Sequence, residues 1–175
     1  NVGINPGRTG ILDVLEGMGA NIKMDNLRTE GGEPVADVLV ESSDLHGIEI
    51  KGDIIPRSID EIPLIALAAC FAKGKTVIRD AEDLRNKESD RISMTVRELN
   101  KVGANLEELP DGISIEGKGY IDGGTGNSHL DHRLAMTLGI AGLLSQGGVV
   151  VEGSNVVDIS YPDFWHDMDL VKANK

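Results

Sequence analysis

Ile62-Pro63-Leu64-Ile65-Ala66-Leu67-Ala68-Ala69-Cys70-Phe71-Ala72 carries no polar side chain. A surface helix sets an apolar stripe against a polar face, whereas a helix apolar on all sides is one buried all round. Leu134 to Leu144 repeats the pattern and is likewise rich in Ala and Gly. Both runs open on charge, Asp60-Glu61 ahead of the first and Asp131-His132-Arg133 ahead of the second. A third charged entrance, Arg85-Asn86-Lys87-Glu88-Ser89-Asp90-Arg91, precedes another apolar-periodic run. An arginine in the first turn of a helix opposes the positive end of the macrodipole unless an anion binds there, and helix-start N–H groups already favour phosphate or carboxylate. Several such ends at one edge of the domain predict a substrate with more than one anionic group, gripped by guanidinium forks.

Working outward, periodicity predicts helices from Thr9 to Met18, Asp60 to Lys73, Ser89 to Val102 and Asp131 to Ser145. Between them, strands are predicted at Asn21–Met24, Val35–Glu41, Gly47–Lys51, Thr76–Arg79, Asn105–Leu109, Gly112–Glu116 and Val149–Glu152. Met18-Gly19-Ala20-Asn21 recurs as Val102-Gly103-Ala104-Asn105, and Gly47-Ile48-Glu49-Ile50-Lys51-Gly52 as Gly112-Ile113-Ser114-Ile115-Glu116-Gly117. A strand-and-helix unit used more than once around one core explains these repeats, and their spacing is too irregular for a solenoid. The fold class is α/β (α+β), with residues 1–175 as one domain.

The chain of 175 residues is long enough for one substantial core. It has a net charge of −12 and a pI near 4.7. That balance excludes nucleic acid as an expected partner, because non-specific affinity for phosphate backbones comes from summed Lys and Arg. No apolar run has the length of a bilayer span, so no membrane partner is expected. The single cysteine, Cys70, lies inside the apolar helix and reads as a small buried thiol; with no targeting segment, a reducing cytoplasm fits. The chain begins at Asn1 without a methionine, which reads as a piece of something longer.

Residue by residue, Asp60 and Asp131 each read first as an N-cap. Glu88 and Arg91, three apart, suit a surface ion pair as well as a functional pair. Lys87 alone would be a solvated lysine, and His132 an ordinary loop histidine. Four histidines, one cysteine and no ligand spacing give no case for a metal. Gly123-Gly124-Thr125-Gly126 lacks the Lys-Ser/Thr of a phosphate loop and reads as a flexible connection.

In combination these stretches resemble a known family. NVGINPGRTG, GDIIPRSIDEIPLIALAACFAKGKT, RNKESDRI, DHRLAM and SYPDFW, in that order, are similar to the C-terminal part of the 5-enolpyruvylshikimate-3-phosphate synthases. The resemblance implies one of two similar domains, each of three βαβαββ units around buried parallel helices, with the active site in the cleft between them. It implies transfer of the enolpyruvyl group of phosphoenolpyruvate to shikimate 3-phosphate with release of phosphate, without metal or cofactor, in a cytoplasmic monomer whose N-terminal domain is not in this chain. Carried over by motif, Asp60 holds and helps deprotonate the shikimate hydroxyls, and Lys87 and Glu88 are the reaction-centre pair. Lys87 also contributes to shikimate 3-phosphate binding. Arg91, His132 and Arg133 hold phosphoenolpyruvate. Ile159 stands where some members carry a lysine, and Asn86 where valine is common. The other readings are the related UDP-N-acetylglucosamine enolpyruvyl transferase, which generally needs a loop cysteine that Cys70 does not supply, and a noncatalytic module with weak anion affinity.

Overall fold

The structure, a computed structural model, describes residues 1–87 and 89–173. Its elements in chain order are β1 (Val2–Gly3), α1 (Gly10–Gly17), β2 (Asn21–Glu30), β3 (Glu33–Glu41), β4 (Glu49–Ile50), α2 (Ile54–Arg57), α3 (Ile62–Phe71), β5 (Gly74–Ile78), α4 (Arg91–Lys101), β6 (Leu106–Leu109), β7 (Gly112–Gly117), β8 (Gly124–Asn127), α5 (His132–Leu144), β9 (Val149–Glu152) and α6 (Phe164–Ala173). Short 3-10 turns at Glu82–Asn86 and Ser154–Ile159 lead into α4 and towards α6.

Among the described residues three sheets form, ordered β1-β3-β2, β4-β5-β7-β6 and β8-β9. The middle one, with its helices, reads β4-α3-β5-α4-β6-β7 and is a complete βαβαββ unit. Its first strand runs parallel to the second, the second antiparallel to the fourth, and the fourth antiparallel to the third. The same plan fits the other two sheets in part. β1-α1-β2-β3 has the pairing of the second half of a unit, and β8-α5-β9-α6 that of the first half.

The first sequence repeat falls at equivalent places in this plan. Gly19 and Gly103 follow α1 and α4 with φ of +97° and +98°, a conformation open to glycine because it lacks a Cβ. In each case the glycine N–H returns to the carbonyl three residues back, and the next N–H to the carbonyl five back: Gly19 to Glu16 and Ala20 to Leu15, Gly103 to Asn100 and Ala104 to Leu99. This is the Schellman termination. The second repeat has a different cause. Its copies are the first and fourth strands of one unit, on either side of β5, and their glycines admit the β5 backbone: a Cβ on Gly47 would sit 2.2 Å from the Lys75 carbonyl oxygen, and one on Gly112 2.0 Å from that of Ile78.

Helices α3 and α5 are the buried ones, as their composition requires. Seven of the ten α3 residues are buried, and α3, α4 and α5 pack against one another around Ile65, Leu67, Leu99 and Leu138. Cys70 is buried there too; burial pushes its thiol up to about 12, which leaves it protonated and inert.

Some expectations are corrected. Gly123-Gly124-Thr125-Gly126 is no flexible connection: Gly124–Asn127 forms β8, paired parallel with β9 from Gly124↔Val149 to Asn127↔Glu152. Its small residues serve packing, since a Cβ on Gly126 would meet the Leu138 side chain at 2.8 Å. Asp60 does not cap α3. That helix starts at Ile62 with Glu61 in the cap position and no side-chain cap bond, and the Asp60 carboxylate is taken by arginines instead. The strand expected at Gly47–Lys51 shortens to Glu49–Ile50, and the one at Asn21–Met24 lengthens to Glu30. Helix α6, anchored by Phe164 edge-on to Tyr161 and Trp165, was not anticipated.

Candidate active site

Four helix entrances meet at one end of the packed helices. Arg8 precedes α1, Asp60 and Glu61 precede α3, Arg91 opens α4, and Asp131, His132 and Arg133 open α5. Asp131 is their anchor. Its Oδ1 accepts from the N–H groups of Arg133 at 2.9 Å and Leu134 at 3.3 Å, so it is the N-cap its position predicts. Its Oδ2 accepts from Arg91 Nε at 2.8 Å and from the Ser89 hydroxyl at 3.4 Å. Both partners of the Arg91–Asp131 pair are closed to solvent, with side chains 1% and 0% exposed. A buried guanidinium held this way is fixed in place, because breaking the pair would strand a charge.

Asp60 occupies the centre. Its Oδ2 accepts from Arg8 Nη1 and Nη2, each at 3.1 Å, and lies 3.2 Å from Arg133 Nη2, while Oδ1 is 3.7 Å from Arg91 Nη1. Burial pushes the Asp60 carboxyl up, but the charge of Arg133, the Arg8 hydrogen bond and the charges of Arg8 and Arg91 outweigh it and hold the group below its usual range. Glu61 behaves in the opposite way: burial raises it, with the Asp60 charge adding to the rise and Arg8 opposing. Arg133 Nη1 is 2.7 Å from His132 Nε2. A guanidinium can only donate, so in this contact the His132 ring nitrogen is the accepting side.

Of the sequence-assigned residues, the structure brings Asp60, Arg91, His132 and Arg133 together. Lys87 is exposed at the end of the 3-10 turn and forms no ion pair with a described residue. Glu88 lies outside the described residues. Arg85, the other charge at that entrance, is structural: it pairs with Asp90 and Glu108 and donates to the carbonyls of Leu109 and Pro110, locking the β6–β7 turn. Sequence reasoning missed Arg8, Glu61 and the second task of Asp131. The signal for Arg8 was present, since it too is an arginine just before a helix.

A cavity of about 240 Å³ opens beside these groups, lined by the charged Arg8, Asp60, Glu61 and Arg133 together with the apolar Leu64, Met136, Ile140 and Phe164. The arrangement suits an anion: guanidinium forks are held by the buried Asp131 and the half-buried Asp60 at a cluster of positive helix ends. It also places a carboxylate, Asp60, where a bound ligand would compete for its arginines.

The chain matches the family model described as EPSP synthase (3-phosphoshikimate 1-carboxyvinyltransferase) over residues 1–168. Among curated proteins it is 52% identical over 171 residues to the 3-phosphoshikimate 1-carboxyvinyltransferase of Thermoanaerobacter sp. (strain X514), covering 98% of this chain and 40% of that one. It is 55% identical over 169 residues to that of Roseiflexus castenholzii, covering 97% and 39%. Among solved structures it is similar to EPSP synthase from Acinetobacter baumannii, with a TM-score of 0.89 and 43% identity over 93% of this chain and 38% of that one. The enolpyruvyl transferase NikO from Streptomyces tendae shares the fold, with a TM-score of 0.68, 21% identity and coverage of 91% and 34%. The chain therefore spans about 40% of the length of the curated relatives it matches.

Proposed function

We propose, from the premise that this chain belongs to the EPSP synthase (3-phosphoshikimate 1-carboxyvinyltransferase) family, that it forms the C-terminal domain of such an enzyme and supplies about half of its active site. The reaction is transfer of the enolpyruvyl group from phosphoenolpyruvate to the hydroxyl of shikimate 3-phosphate, releasing phosphate. The observation that carries the reading is the shared grip on Asp60: one carboxylate oxygen accepts from Arg8 and lies 3.2 Å from Arg133, with the buried Arg91 behind.

In this reading Arg91 and Arg133 take the carboxylate and phosphate of phosphoenolpyruvate, with Arg91 preset by Asp131. His132 orients Arg133 through its Nε2, 2.7 Å from the guanidinium. When the anion draws Arg133 away from Asp60, the carboxylate loses a stabilising charge, gains basicity and accepts the proton of the attacking shikimate hydroxyl. Lys87 and Glu88 stand at the reaction centre by their place in the motif, with Glu88 exchanging a proton at the vinyl carbon. The remaining domain supplies the rest of the shikimate 3-phosphate site, and its closure excludes water. A cytoplasmic monomer fits this role; no helix among the described residues is long and apolar enough to cross a membrane.

The test is a two-domain protein in which this chain replaces the matching segment of the Thermoanaerobacter sequence. Arg133→Met should raise KM for phosphoenolpyruvate far more than KM for shikimate 3-phosphate. Glu88→Gln should lower kcat by roughly two to four orders of magnitude, the range for losing acid–base catalysis, with little change in either KM. Near-normal turnover by Glu88→Gln would move the proton to Lys87 or to the other domain, and an unchanged phosphoenolpyruvate KM in Arg133→Met would remove the anion site.

A further inference from the structure

Arg8 touches two neighbouring carboxylates at once. Its Nη1 and Nη2 lie 3.1 Å from Asp60 Oδ2, and Nη2 is also 3.4 Å from Glu61 Oε1. The other Glu61 oxygen, Oε2, is buried and has no hydrogen-bond partner among the described residues. Of the arginines around Asp60, Arg8 is the one that can move: its side chain is 56% exposed, against 26% for Arg133 and 1% for Arg91. The turn carrying it is nevertheless built. Arg57 donates to the Pro6 carbonyl at 2.7 Å and pairs with Asp13 at 2.7 Å, and Gly10 packs so tightly that a Cβ there would lie 2.7 Å from the Arg57 carbonyl carbon. A mobile guanidinium on a fixed turn can exchange partners over a short arc.

We propose that Arg8 is a positioning residue held between two competing carboxylates, and that Glu61, by drawing the Arg8 guanidinium off Asp60, sets how readily Asp60 takes up a proton. When Arg8 sits on Asp60, it reaches Glu61 only through the 3.4 Å contact at Oε1 and leaves Oε2 buried with no hydrogen-bond partner among the described residues, a setting that favours the neutral carboxyl. When Arg8 closes on Glu61, Glu61 is stabilised as the anion, and Asp60 loses a cation and gains a like charge beside it. The proton that leaves Glu61 is the counterpart of the proton affinity that Asp60 gains, so the two titrate as a coupled pair. The raised Glu61 and lowered Asp60 carboxyls are the expected signs for the state with Arg8 on Asp60. The charged and titratable groups facing the pair are Arg8 from the turn before α1, Arg91 from α4, and Arg133 and His132 from α5, with Tyr161 lining the same cavity. This deepens the functional reading, since it assigns the residues that tune the base in that reading.

The test is a carboxyl-carbon NMR titration of Asp60 and Glu61 in the 175-residue chain, which needs no activity and so stands whether or not Asp60 is the base. Arg8→Met should raise the Asp60 midpoint by about one pH unit, the low end of the effect of one nearby opposite charge. Glu61→Gln, which removes the competitor and its charge but keeps its shape, should lower it. Arg8→Lys keeps the charge without the fork and should give a smaller rise than Arg8→Met, which also covers the case in which Arg8→Met fails to fold. Opposite shifts from two adjacent substitutions are not what a merely structural role produces. If the Asp60 midpoint stays fixed in both variants, or moves in the same direction in both, the proposal fails. In the two-domain protein the acidic limb of kcat/KM should follow the same opposite shifts. Failure of that limb alone, with the NMR shifts present, would count against Asp60 as the base and leave the Arg8–Glu61 competition standing.

Discussion

Replacing Asp131 with Ala removes two unlike interactions at one atom group, and the structure allows the loss to be worked out. The N-cap bonds to Arg133 and Leu134 contribute about 1 kcal/mol. Much larger is the effect on Arg91, whose side chain is 1% exposed and whose Nε is 2.8 Å from Asp131. Removing one partner of a buried pair typically costs about 3–5 kcal/mol, because the remaining charge has no water to return to. Together the loss is about 4–6 kcal/mol, against a total stability of about 5–15 kcal/mol for a domain. Asp131→Asn keeps a good cap and should lose less, about 3 kcal/mol. Urea unfolding followed by fluorescence of the single tryptophan, Trp165, measures all of these. The double variant Arg91→Met/Asp131→Ala should be less destabilised than the sum of the single variants, because it no longer buries an unmatched charge. An Asp131→Ala loss below about 2 kcal/mol, or strict additivity in the double variant, would refute the buried-pair account.

Other expectations follow from separate parts of the fold. Glu98, fully buried, accepts from His129, the Asn127 N–H, Lys101 and Arg97; burial raises its carboxyl, but these bonds bring it down to about 2. A carboxyl lowered on folding stabilises above its unfolded value, so the contribution is complete above pH 4.5 and is lost as pH falls from there to about 2. Glu98→Gln should flatten that acid dependence in a pH series of urea unfolding. Gly112→Ala would place a Cβ 2.0 Å from the Ile78 carbonyl oxygen and force β7 off β5, lowering stability by about 3 kcal/mol or more on the same assay. The 175-residue chain alone should give no phosphate release from phosphoenolpyruvate plus shikimate 3-phosphate, and measurable transfer by it would contradict the half-site reading.

What the sequence disclosed depended on whether the cause was local. The buried helices α3 and α5 were legible because no polar face appears anywhere along them. The stops at Gly19 and Gly103 were legible because a left-handed residue after a helix calls for glycine. Asp131 was legible as a cap because it sits directly before its helix. Strand β8 was not, since Gly-Thr-Gly-Asn has little intrinsic preference for extension and is held by pairing with β9 and by the close approach of α5. Asp60 misled because α3 starts one residue later than an Asp60 cap requires, and the freed carboxylate is captured by arginines from three other parts of the chain. Arg8 reaches Asp60 across 52 residues of sequence, a distance over which no spacing rule operates. The motifs named Asp60, Arg91, His132 and Arg133, which lie together in the fold, but which carboxylate holds which arginine is a tertiary fact.

On the function proposed above, this chain carries the phosphoenolpyruvate-gripping half of an enolpyruvyl transfer site. That function is tested most directly by phosphate release from phosphoenolpyruvate in the two-domain protein built with this chain, measured with and without shikimate 3-phosphate. Release that requires shikimate 3-phosphate, and that falls to background in Asp60→Asn, is the predicted result. A folded two-domain protein that releases no phosphate with both substrates present, or that turns over equally well as Asp60→Asn, would contradict the account.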